Sequence, residues 1–119
     1  MIPQTLEEAI NLTKNQMDAK FVQAHSEREI VANYHHSLGQ FIRNSWGFWL
    51  NSPLKQELVK LGLSHPDDMS GLILQCAIRD MKGADRDVAN TVKRYQEYWV
   101  NAEKHGIGVA FEIFNRDSP

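Results

Sequence analysis

Helix-start signals recur at short intervals along this sequence, and they constrain its fold more than any other feature. Thr5-Leu6-Glu7-Glu8 and Ser26-Glu27-Arg28-Glu29 both read as capping boxes. In such a box the hydroxyl accepts from a backbone N–H three residues on, and the glutamate there reaches back to the start of the turn. Ser52-Pro53 sets a cap before a proline at the first helical position, where the missing N–H is not needed. His65-Pro66-Asp67-Asp68 puts two carboxylates in a first turn, at the positive end of the helix dipole. Asp85 or Asp87 starts one more helix, and Gly47, Gly62, Gly83 and Gly106 supply matching stops.

The apolar residues between these signals follow helical spacing. Leu6, Ala9 and Ile10 open a first stripe, with Phe21 and Val22 in a connection or a frayed last turn. Ile30, Val31, Tyr34, Leu38, Phe41 and Ile42 form the clearest amphipathic helix, which runs to about Ser45. Gly39 falls inside it, at a cost of about 1 kcal/mol relative to Ala, and marks a close helix crossing. Leu54, Leu58 and Leu61 line a short helix, and Met69 to Met81 a longer one. Val88, Val92, Tyr95, Trp99 and Ala102 make a narrow packing seam.

The expectation is an all-α fold: a compact bundle of about five helices in a single domain over residues 1–106, with a strand-like or extended C-terminal tail over 107–119. Ile107, Val109, Phe111 and Ile113 alternate with other residues, the period of a strand, and nothing earlier reads as a strand to pair with them. Three conformations compete for this tail. It packs as an irregular arm, it pairs with another chain (a homodimer through residues 107–114, or a strand added to a partner's sheet), or it continues as helix.

Composition narrows the function classes. A chain of 119 residues buries roughly two thirds of its unfolded surface, enough for one core without staples. Net charge is −2, with both signs interspersed, which argues against a nucleic-acid binder that needs a basic stripe. No apolar run approaches a membrane span, and the start "MIPQTLEEAI" lacks the basic and apolar regions of a signal peptide, so a cytoplasmic protein is expected. A single cysteine, Cys76, excludes an internal disulfide and reads as a buried thiol.

No cofactor or metal is expected. His35 and His36 are adjacent, so on a helix they point about 100° apart, and no His-x-x-x-His pair exists. His65 with Asp67 or Asp68 makes at most two ligands; the plainer reading is that His65 and Asp68 bond to the free N–H groups of a helix start. No nucleophile elbow or phosphate loop is present. Acid–base chemistry would need Asp67, Asp68, His65, Arg43 and Arg79 to converge, which spacing alone does not require.

The stretch "GQFIRNSWGFWLNSP" (Gly39–Pro53) joins two helices. Arg43 stacks four residues beyond Gly39 and eight beyond His35, in reach of Asp67 or Asp68, as an internal clamp or a binding group. Trp46, Phe48 and Trp49 straddle the glycine turn and either fill the corner or display an aromatic face. The candidate binding or clamp residues are therefore Arg43, Asn44, Trp46, Trp49, His65, Asp67 and Asp68.

Four segments together carry a resemblance: "PQTLEEAI", "GQFIRNSWGFW", "LGLSHPDDMSGLIL" and "YQEYW". The chain resembles an uncharacterised bacterial family of small helical proteins, a domain of unknown function, over about residues 3–99. The resemblance implies a compact α-helical fold and transfers no catalytic residue. It marks Arg43, Asn44, Trp49, His65, Pro66, Asp67, Asp68 and Ser70 as motif positions. By analogy with other small cytosolic bacterial domains, it points to a non-enzymatic protein-binding module, such as an immunity protein that neutralises a cognate toxin, with that toxin or a neighbouring gene product as partner. The competing expectations are a small enzyme or ligand-binding protein built on His65, Asp67, Asp68 and Arg43, and a structural homo-oligomer paired through the tail.

Overall fold

The computed structural model describes residues 2–48 and 50–116. These residues are helical and contain no strand. In chain order the helices are α1 (Leu6–Gln16), α2 (Ala19–Ala24), α3 (Glu27–Tyr34), α4 (Gln40–Ser45), α5 (Pro53–Leu61), α6 (Pro66–Met81), α7 (Val88–His105) and α8 (Ile107–Arg116). A π turn, His35–Gly39, runs α3 directly into α4, so the three form one rod. The described residues therefore hold seven helical rods rather than about five.

Two additions account for the difference. The connection expected around Phe21 and Val22 is a helix, because Asp18 caps it by accepting from the N–H groups of Lys20 and Phe21. The strand-like tail is also a helix, which corrects the extended reading and removes the strand that residues 107–114 would have paired with another chain. Without a neighbouring strand, a helix is what satisfies backbone N–H and C=O groups locally. Ala110, Ile113 and Phe114 supply its packing stripe: Ala110 is buried and the other two are half-buried, at the i, i+3, i+4 spacing of one helix face. The alternating residues Ile107, Val109 and Phe111 stay exposed.

The caps act as their chemistry demands, with one shift. Ser26 and Glu29 form the full reciprocal box. Thr5 accepts from Glu8 N–H at 3.1 Å, but Glu8 bonds back to the N–H of Gln4. Ser52 accepts from Lys55 N–H at 3.1 Å, before Pro53. Gly62 takes the left-handed conformation, φ 113°. The Gly62 N–H then donates to Val59 and that of Leu63 to Leu58, closing α5 with a Schellman turn.

The central element is α6, in which every residue from Asp68 to Arg79 is buried. It packs against α1, the α3–α4 rod and α7, which is why its sequence is apolar nearly all round. Ile10, Ile30, Ile42, Leu54, Leu58 and Phe48 close the core around it. Trp46 and Phe48 plug the corner between α4 and α5. Gly39 lies where the rod crosses α6: a Cβ there would sit 3.1 Å from Arg43 Nη1 and 3.5 Å from Leu74 Cδ1. Beyond α6, α7 and α8 fold back on one another as a hairpin.

Candidate functional site

A groove of about 580 Å³ opens between the rod and the α7–α8 hairpin. The first half of α6 forms its floor with Asp67, Asp68, Gly71 and Gln75. The rod gives one wall as two four-residue stripes: Glu27, Val31 and His35 half-buried inside, and Arg28, Ala32 and His36 exposed along the outer edge. Arg94 and Tyr95 of α7 and Phe111, Phe114 and Asn115 of α8 give the other.

Each carboxylate on this lining is held by a donor. Asp67 Oδ1 lies 3.2 Å from Arg43 Nε. Arg43 is buried and also donates to Ser70 Oγ at 2.9 Å and to the carbonyl of His35 at 3.2 Å. It thus pins the start of α6 to the π turn from behind the groove. Asp68 accepts from Trp99 Nε1 at 2.7 Å, and the His65 ring stacks on that indole with centroids 3.7 Å apart. Burial pushes the Asp68 carboxyl above the usual carboxylate range, against the pull of the Trp99 bond. Glu27 takes Arg79 in a two-pronged pair at 2.7 and 3.0 Å.

Tyr95 closes the floor. Its hydroxyl donates to Gln75 Oε1 at 2.8 Å and rests against Gly71, where a Cβ would collide with it. Burial raises the Tyr95 phenol well above its usual value. His35 is pushed below the ordinary histidine value by burial and then by Arg43, so its imidazole is mostly neutral at pH 7. At the α8 side, the Arg94 guanidinium lies 4.4 Å from the Phe114 ring centroid.

Of the residues singled out from sequence, Arg43 and Asp67 meet, and Asp67 and Asp68 both face the groove. His65 reaches Asp68 only through Trp99. Its side chain makes no cap bond and Asp68 bonds to the indole, which corrects the reading of both as N–H acceptors at a helix start. Asn44 is exposed on α4, Trp46 is buried in the corner, and Trp49 lies outside the described residues. Arg79 sits twelve residues beyond Asp67, about 18 Å along the helix, and joins Glu27 and Thr91 instead. Cys76 is buried and its thiol is pushed up to about 11, the setting of an inert thiol. No three His, Cys, Asp or Glu side chains are placed to hold a metal ion among the described residues.

A family model described as a domain of unknown function (DUF6794) matches residues 2–81. The chain belongs to that family. No curated protein and no solved structure matches it. The DUF6794 match ends at the last residue of α6, short of the "YQEYW" segment that the resemblance included. The groove therefore has a DUF6794 floor and wall, and an opposite wall made by the hairpin beyond the match.

Sequence reasoning missed Arg28, His36, Tyr95, Trp99, Phe111 and Phe114 as neighbours of this groove. The repeat of Arg28, Ala32 and His36 at four-residue steps was its one local trace. The joining of that stripe to the α7–α8 wall, 58 or more positions further along the chain, depends on tertiary packing.

Proposed function

We propose that this DUF6794 protein is a binding module that receives an apolar segment of a protein partner in the groove. The observation that carries the reading is the groove itself, with Phe111 on its wall 57% exposed. Exposed aromatic side chains beside arginine are the usual anchors of a protein interface, and helix-lined apolar grooves commonly take an amphipathic helix. Further support comes from the polar groups. Arg43, Asp67, Asp68, Gln75 and Tyr95 are already bonded to one another or to Ser70 and Trp99, as in a scaffold that holds a shape.

The test is a pull-down of the purified protein with the product of the adjacent gene, repeated with Phe111→Asp and Ala32→Asp, both exposed positions on the groove lining. Both variants lose the complex while their thermal melts stay near that of the wild type. Retention of the complex by both would remove the groove from the interface. An immunity-type role is the narrowest form of the proposal: the partner is then a toxin, and co-expression of the chain rescues cells that produce it.

A further inference from the structure

The charge on the groove lining is directional. Its three carboxylates face donors that belong to the scaffold: Glu27 is paired with Arg79, Asp67 with Arg43, and Asp68 with the Trp99 indole. Arg79 and Arg43 are both buried, so Glu27 and Asp67 each have a scaffold cation behind them, whereas Asp68 has only the neutral indole N–H. Arg28 differs. It is exposed on the outer edge of the rod and makes no ion pair or hydrogen bond among the described residues. Two turns further along the same edge His36 is exposed, its ring set edge-on to that of His35 at 4.8 Å. Arg94 places a second guanidinium across the groove, over Phe114.

Between the Arg28 and Arg94 guanidiniums lie Val31, Ala32, Phe111 and Phe114. The floor from Asp67 to Gln75 spans nine residues of helix, about 12 Å from first to last, or roughly two helical turns. A complementary occupant has an apolar stripe of that length and carboxylates beside it. Arginine grips a carboxylate by two parallel N–H bonds, and it does so best where a neighbouring apolar surface excludes water.

We infer that the groove takes an acidic amphipathic helix of a partner protein, with Phe111 and Val31 holding its apolar stripe and Arg28 its carboxylates. This rests on the binding-module reading above, and names the partner's chemistry.

The test uses two synthetic helical peptides with the same Leu/Phe stripe, one flanked by Glu and one by Lys. Binding to the full chain is followed by fluorescence anisotropy at low salt. The Glu peptide is expected to bind at least about tenfold more tightly, a gap of 1.4 kcal/mol, and the gap narrows as salt screens it. Arg28→Glu, on an exposed position, reverses the preference without lowering the melting temperature, and Phe111→Asp abolishes binding of both peptides. Equal affinity for the two peptides, both lost in Phe111→Asp, overturns the acidic-partner inference and leaves the groove as a docking site. Binding of neither peptide also overturns it, and the pull-down with Phe111→Asp then decides the groove reading on its own. Tighter binding to phosphatidylserine vesicles or to a short oligonucleotide than to the Glu peptide overturns it as well, because the cationic edge then serves another class of anion.

Discussion

Arg43 Nε and Asp67 Oδ1 lie 3.2 Å apart, but the two side chains sit in different media: that of Arg43 is 9% exposed and that of Asp67 68%. The attraction between them is screened by water at the Asp67 end, where ion pairs contribute under about 1 kcal/mol. Arg43 owes more to its buried bonds with Ser70 Oγ and the His35 carbonyl. Arg43→Ala is therefore expected to lower stability by about 2 kcal/mol, the loss of buried charge-assisted bonds, whereas Asp67→Asn lowers it by less than about 1. Urea melts of both variants check this. Equal losses would mean that the ion pair itself holds the π turn to α6.

Asp68 carries a pH signature of its own. Its folded pKa is raised by burial, so the folded state binds the proton more tightly than the unfolded chain. That contribution is complete below the unfolded pKa and is lost as pH rises through the folded one. At neutral pH the buried charge is a cost offset in part by the Trp99 bond. Asp68→Asn keeps an oxygen for the indole and removes the charge. Its melting temperature should exceed that of the wild type at pH 7, and the gap should close as pH falls into the ordinary carboxylate range. A gap that is independent of pH would locate the effect in packing instead.

The parts of this fold that are legible in sequence are those decided within one turn of chain. Ser26, Ser52 and Gly62 act as caps and stop because each bonds to backbone three to five residues away. The tail shows where local pattern misleads: Ile107, Val109 and Phe111 have a strand's period, while Ala110, Ile113 and Phe114 carry a helix's. Packing on α7 selects the second. The π turn has no local signature either, because it is set by the crossing of Gly39 over α6 and the reach of Arg43 to His35. Arg43 and Asp67 are adjacent only after the rod and α6 are assembled, and the groove exists only once α7 and α8 have folded against both.

Gly71 and Tyr95 fix how closely α7 approaches α6. A methyl group at Gly71 would collide with the Tyr95 hydroxyl, which is tied to Gln75. Gly71→Ala is expected to destabilise the fold by about 1–3 kcal/mol, the range for overpacking a tight core. Tyr95→Phe removes the colliding oxygen, so Gly71→Ala combined with Tyr95→Phe should lose less than the sum of the two single changes. A double-mutant cycle by urea denaturation reads that coupling. Strict additivity would show that the hydroxyl is not what limits the approach.

Acid should loosen the tie between α1, the end of α6 and the chain entering α7. Asp80 accepts two bonds from Arg86, at 2.8 and 2.7 Å, and one from Lys14 at 3.1 Å. Arg86 also holds Glu7, so α1 is tied to the end of α6 and to the chain entering α7. The Arg86 bonds first, and then Lys14, bring the Asp80 carboxyl down to about 2. A depressed folded pKa stabilises above the unfolded value and loses that contribution as pH falls through the folded one. The window therefore runs from about pH 4 down to about 2. Asp80→Asn should lower the urea midpoint by a constant amount between pH 7 and pH 5, roughly the plateau above both pKa values. The difference from the wild type should then shrink steadily across the window. A difference that persists undiminished to the bottom of it would mean that the Asp80 side chain stabilises by shape and neutral hydrogen bonds, and that the α1–α6–α7 tie does not depend on its charge.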